Sequence, residues 1–178
     1  MQKRIILDSM NFKIDVIKDS KVHFFWGSKS IFSNFYKCEN GVILDGIVYP
    51  TSEHAFHAMK AKLFDDIETM DKIINCKTPT QAKIFGRKVK NFTQQEWDDV
   101  KLKIMKDILI GKFESNPDLL EAFLMFDEDV VFVEASPHDK IWGIGYDSKT
   151  AVRVDQNEWG ENNLGKILTE LRKELAKK

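Results

Sequence analysis

Four ionisable side chains crowd one short stretch, YPTSEHAFHAMKA from Tyr49 to Ala61: Glu53, His54, His57 and Lys60. Glu53 falls in the first turn of a predicted helix, where the helix dipole favours an ionised carboxylate by about 0.3–1 kcal/mol. Lys60 lies two turns further on and returns to nearly the same face, with Phe56 and Met59 turned to the core. A carboxylate and an amine lining one cleft can serve as base and electrophile, or as charge stabiliser and nucleophile. The histidines do not make a zinc motif, because the glutamate precedes both and their spacing is one residue short of the zincin pattern. No metal is therefore expected. The plain structural alternatives are a helix-start role for Glu53 and hydrogen-bonded helix residues for His54 and His57.

Further chemistry-bearing residues cluster in three other places. EASPHDKIWGIGYD, from Glu134 to Asp147, places Asp139, Trp142 and Gly143 in a loop after a predicted strand. Strand-end loops are where sites are commonly built, and glycines there let backbone approach a ligand. The Trp142 indole offers a flat face to a base, against the alternative of a packed core residue. NEWGENNLG puts Trp159, Asn162 and Asn163 at a helix start, whose N–H groups could receive a phosphate. KIFGRKVKNF groups Lys83, Arg87, Lys88 and Lys90, with Arg87 the natural bidentate partner for a phosphate and Lys88 and Lys90 read as a solvated face. FSNF adds Asn34 and Phe35, an amide between aromatics in a loop. Carboxylates, aromatic faces, an arginine and amides suit a phosphorylated nucleoside-like ligand, without deciding between cleaving it and holding it.

These residues need elements to hold them. FKIDVI alternates with a period of two and predicts an added strand or hairpin before Asp19; VHFFW predicts a strand from Val22. CENGVILDGIVYP predicts two strands joined at Asp45-Gly46. Thr51 is a natural N-cap for SEHAFHAMKAKLF. Thr78 to Gln81 matches a capping box with Pro79 at the first helical position; Thr93 and Glu96 match a second, before a long amphipathic run. Asn116-Pro117 opens a further helix, DVVFVEAS is a buried strand, and Leu164, Ile167, Leu168, Leu171 and Leu175 line one face of a closing helix. The expected fold is α+β, a helix-rich single domain around a small β-sheet, with residues 1–21 an extension of no assigned function and residues 22–178 the domain.

Composition narrows the partners. A 178-residue chain that is 43% hydrophobic can form a sizeable core. With 27 Lys and Arg against 28 Asp and Glu, the formal net charge of -1 gives no general polyanion binder. No apolar run is long enough to span a membrane, and the charged start does not resemble a signal peptide. Cys38 and Cys76 lack metal-ligand spacing, so a reduced, cytoplasmic protein with two ordinary thiols is expected.

The fragments FSNFY, LDGIVYPTSEHAFHAMKA, AKIFGRKV, EASPHDKIWGIGY and EWGENNLGKIL, in this order from about Phe25 to Leu175, resemble the NADAR family of YbiA-like N-glycosidases. The resemblance implies a YbiA-like fold and cofactor-free cleavage of the bond between ribose C1 and a base or amine. It implies two substrate classes: ribosylamino-pyrimidine phosphates among riboflavin intermediates, or ADP-ribosylated guanine in nucleic acid. Glu53 would then handle water or an oxocarbenium-like ribose, Lys60 would act covalently or electrostatically, and Asp139 would serve as acid/base or ribose contact. Trp142 would stack on the base, with Asn34, Phe35, His57, Arg87, Gly143, Trp159 and Asn163 lining the substrate. Lys37, where the family often has proline, and His57, where glutamine is expected, are departures that bear on the substrate rim. The rival reading is a non-catalytic ADP-ribose or NAD-binding module.

Overall fold

The structure is a computed structural model, described for residues 13, 15–17 and 20–177. In chain order its strands are β1 (Asp15–Ile17), β2 (Ser20–Phe25), β3 (Val42–Leu44), β4 (Ile47–Tyr49) and β5 (Val131–Glu134). Its helices are α1 (Ser52–Leu63), α2 (Ile67–Asn75), α3 (Pro79–Gly86), α4 (Gln94–Ser115), α5 (Pro117–Leu124), α6 (Ser148–Ala151) and α7 (Asn163–Leu175). The chain divides into two compact units, residues 34–117 and the segments on either side of them. The predicted FKIDVI strand is seen as β1 over its described part; Phe12 and Ile14 lie outside the described residues.

The unit formed by the flanking segments is built on a three-stranded sheet of order β1-β2-β5. β1 and β2 form an antiparallel hairpin, while β2 runs parallel to β5, with Phe25 opposite Glu134 at their shared carboxyl ends. Alternation along β2 sends its side chains to two cores. His23 and Phe25 join a cluster centred on Phe32, whose ring lies 4.8–5.8 Å from those of His23, Phe25, Phe123, Phe126 and Phe132. Burial pushes the His23 imidazole below its usual pKa, so it is neutral and its Nδ1–H donates to the Lys13 carbonyl at 2.8 Å. Val22 faces the other way, onto Val133, Ile144 and Ala151, with Phe24, Tyr146 and Trp159 packed around them.

Helix α7 covers the outer edge of β5. Asn162 accepts from the Glu134 N–H through Oδ1 and donates to the Phe132 carbonyl through Nδ2, both at 3.0 Å. Thr169 accepts from the Phe132 N–H at 3.0 Å. Two side chains thus supply what a further strand would, and the edge is closed to foreign strands. The approach is so close that a Cβ on Gly165 would stand 2.2 Å from the Phe132 carbonyl oxygen.

The other unit starts with the β3–β4 hairpin, whose Asp45 and Gly46 take φ of 51° and 76°, the double positive φ of a type I′ turn. α1 follows at once. Thr51 caps it, its hydroxyl accepting from His54 N–H, as expected. The Thr78–Gln81 capping box forms in both halves at α3. Thr93 does start α4, but its side chain makes no capping hydrogen bond, so the second predicted box is absent. α2, not anticipated from the sequence, is capped by Asp66, which accepts from Thr69 N–H and, through its other oxygen, from Lys90 N–H. Asn116 ties the end of α4 to the hairpin by donating to the Gly41 and Lys112 carbonyls and accepting from Asn40 N–H.

Candidate active site

α1 is buried at nine of its twelve positions, including Glu53, His54 and His57. Burial cuts these three ionisable groups off from water, so each needs a partner within the protein. His54 finds structural ones: its Nδ1 meets the Thr51 hydroxyl at 2.8 Å and its Nε2 the Cys76 carbonyl at 3.3 Å. Burial holds its pKa below the usual histidine value, which keeps it neutral and makes it a strut between α1 and the end of α2.

Glu53 is partnered differently. Its N–H donates to the Asn34 carbonyl at 3.0 Å, which joins the FSNF loop to the start of α1. Its Oε1 takes the Nε2 of His57 at 3.1 Å, and the Lys83 ammonium stands 3.9 Å from the same oxygen. Both contacts fall on Oε1, and Oε2 has no hydrogen bond among the described residues. His57 is pinned from behind by Gly86, on which a Cβ would stand 2.0 Å from its Nδ1; that nitrogen is buried and bonds nothing among the described residues. Asn34 adds a second unspent group, its Oδ1 being buried and unbonded. Phe35 presents its ring to Lys83, 5.8 Å from the ammonium.

Lys60 stands apart from the Glu53 carboxylate pair. Its ammonium sits 3.9 Å above the Phe92 ring and 5.8 Å from that of Trp97, which packs in turn on Phe56. Partial burial holds its pKa below the ordinary lysine value, which raises the share of nucleophilic amine. The lysine that the structure brings to Glu53 is Lys83, one of the basic group in KIFGRKVKNF that sequence reasoning passed over. The available signal was Gly86 three residues later, a glycine near a helix end marking a close approach. Arg87 follows α3 as its C-cap, exposed and without an ion pair among the described residues.

In the flanking unit the loop after β5 folds back over that strand's carboxyl end. Ile144 N–H donates to the Glu134 carbonyl at 3.0 Å, and a Cβ on Gly143 would meet the same oxygen at 2.7 Å. Asp139 organises this loop: its Oδ1 accepts from the N–H groups of Ile141 and Trp142, both at 2.8 Å, leaving Oδ2 without a hydrogen bond among the described residues. Residues 140–144 then run beside 160–164. Asn163 and Leu164, the first residues of α7, donate their N–H groups to the Ile141 and Trp142 carbonyls. Those N–H groups, anticipated as a phosphate seat, are therefore spent on the loop. The Asn163 side chain donates to Glu161 at 2.7 Å. Trp159 packs edge-on to Phe24 at 6.0 Å, its indole N–H buried and unbonded.

The class these elements define is an α+β protein; one unit carries a buried carboxylate held by one oxygen, and the other a loop carboxylate held the same way. Residues 24–176 match the NADAR domain. The chain is 38% identical over 148 residues to N-glycosidase R617 of Acanthamoeba polyphaga mimivirus, covering 81% of this chain and 86% of that protein. It is 32% identical over 163 residues to N-glycosidase YbiA of Escherichia coli (strain K12), covering 90% and 92%. A match to Riboflavin biosynthesis protein VVA0006 of Vibrio vulnificus, at 31% identity, spans 80% of this chain and 35% of that protein. The NMR structure of E. coli YbiA aligns with a TM-score of 0.71 at 30% identity, over 90% of this chain and 88% of that one. The chain belongs to the NADAR family, and its α+β fold is shared with YbiA.

Proposed function

We propose that the protein is a metal-independent N-glycosidase that hydrolyses the bond between C1 of a phosphorylated ribosyl group and a base or amine. The observation that carries this is the half-spent carboxylate of Glu53. Oε1 is fixed by His57, and Oε2 is left to hold a water or to face the cationic ribose that develops as the bond breaks. The names of the relatives support the same chemistry.

The remaining roles follow from what each group has unspent. Asp139 keeps Oδ2 for a proton or a ribose hydroxyl. The Asn34 Oδ1 and the Trp159 indole N–H are a buried acceptor and a buried donor awaiting polar partners. Trp142 and Phe35 supply faces for a base, Gly143 brings backbone close, and Arg87 offers its fork to phosphate. Asn163 contributes through its tie to Glu161. Lys60, desolvated over its aromatic rings, is the candidate amine for a covalent step. Among the described residues no helix is long and apolar enough to cross a membrane. We read the substrate as either a small ribosylamino-pyrimidine phosphate or an ADP-ribosylated guanine in nucleic acid, and the place of reaction as the cytoplasm.

The test is mass spectrometry of products from each substrate in separate reactions, with wild type, Glu53→Gln and wild type plus chelator. Ribose 5-phosphate from the first substrate, or free ADP-ribose from the second, is expected from wild type and from the chelated sample, and none from a folded Glu53→Gln. Turnover by Glu53→Gln refutes its role; loss on chelation with recovery on adding zinc refutes metal independence. Binding of ADP-ribose without product makes the protein a recognition module.

A further inference from the structure

Glu53 is a carboxylate with little solvent, its side chain 8% exposed, and its charge has to be balanced from within the protein. His57 does not supply that balance. It meets Oε1 as a hydrogen-bond donor through Nε2–H, while its Nδ1 is buried against Gly86 and bonds nothing among the described residues. Lys60 does not supply it either, since its ammonium lies over Phe92 and Trp97. Among the described residues the cation at Glu53 is Lys83. At 3.9 Å it lies within ion-pair range and beyond hydrogen-bond length, and its side chain is 37% exposed. It stands on the Oε1 side and leaves Oε2 clear.

We propose that Lys83 is a positioning residue of the glycosidase site, balancing the Glu53 charge and holding that carboxylate by Oε1 so that Oε2 stays available to the reacting centre. This rests on the N-glycosidase reading above for its catalytic consequence, and on the ion pair alone for its structural one. Lys83 acts through charge and place, so arginine substitutes for it and methionine does not.

The experiment has two arms. In the first, Lys83→Met lowers kcat about 10²-fold while KM stays within about threefold, and Lys83→Arg recovers to within about tenfold of wild type. In the second, urea unfolding without substrate compares wild type, Lys83→Met, Glu53→Gln and the double variant. Lys83→Met lowers the midpoint in the wild-type background and leaves it unchanged in the Glu53→Gln background, because no buried charge is left to balance. Equal losses in both backgrounds overturn the proposal. So does a Lys83→Met enzyme with kcat within about twofold of wild type, a change confined to KM, or a Lys83→Arg as inactive as Lys83→Met. If wild type cleaves no ribosyl substrate, the glycosidase reading falls by itself, and the unfolding cycle still decides whether Lys83 balances Glu53.

Discussion

Replacing Gly86 by alanine sets two effects of opposite sign against each other. Alanine has the better helix propensity, by up to about 1 kcal/mol, and Gly86 is the last residue of α3. Its new methyl, however, would stand 2.0 Å from Nδ1, 2.4 Å from Cγ and 2.8 Å from Cβ of His57. Ordinary contact requires roughly 3.5 Å, so the imidazole must retreat by more than an ångström. Turning the ring does not suffice, because the close Cβ is fixed to the backbone of α1, and α1 and α3 have to separate. Overpacking of this kind costs about 1–3 kcal/mol. The retreat also breaks the 3.1 Å bond from His57 to the buried Glu53, a charged hydrogen bond of about 1.5–3 kcal/mol. The clash and the lost bond outweigh propensity by about 1.5–5 kcal/mol, which for a chain of this length lowers Tm by about 3–20 °C. The assay is a thermal melt followed by circular dichroism, with kcat measured well below the melt. Gly86→Ala is expected to melt lower and turn over at least about tenfold more slowly. In a His57→Ala background the ring contacts and the bond to Glu53 are already gone and the 2.8 Å Cβ contact alone survives, so the melting penalty is smaller. A Gly86→Ala protein that melts at or above wild type refutes the reasoning, since helix propensity would then have prevailed over the contact.

Two other perturbations test different parts of the molecule. Asp139→Asn keeps an oxygen that accepts from Ile141 and Trp142, so its melt should stay within about 2 °C of wild type while kcat falls at least tenfold; Asp139→Ala should lose loop order as well, seen as faster amide exchange at Ile141 and Trp142. An Asp139→Asn enzyme of full activity would reduce Asp139 to a loop organiser. Lys112 is wholly buried on α4, and burial pushes its pKa down to about 8. Between pH 8 and 10 the unfolded chain keeps a proton there that the folded one has released, so stability rises with pH by about 2–3 kcal/mol across that window. Urea denaturation at stepped pH should show a clearly smaller rise in Lys112→Met than in wild type, the part left coming from Lys60, which burial also holds below its usual pKa; parallel profiles would remove Lys112 as a source. The window stops at pH 10 because the Tyr49 hydroxyl, pushed up to about 12 by burial, begins to act in the opposite direction.

The sequence alone determined what neighbouring residues decide among themselves. Asp45-Gly46 specifies its turn because both take positive φ, and Thr51 and the Thr78–Gln81 pair specify helix starts because their partners lie within one turn. The five leucine and isoleucine positions of α7 are buried as their spacing requires. The motif fragments, each short and local, carried the family. Even locally the rule has a limit: Thr93 has the right partner at the right spacing and makes no cap bond. What lay outside the reach of sequence is what distant segments decide together. Helical spacing aligned Lys60 with Glu53, but Phe92 and Trp97, some thirty residues and more along the chain, hold that ammonium, while Lys83 from α3 meets the carboxylate. The N–H groups at the start of α7 looked free until the loop carbonyls of Ile141 and Trp142 took them. Gly86, near a helix end, marks a close approach, but nothing local says that the ring it meets is that of His57. A hydrogen bond or an ion pair between distant residues depends on where packing brings the chain, and composition and periodicity carry the preference of each segment but not its neighbours.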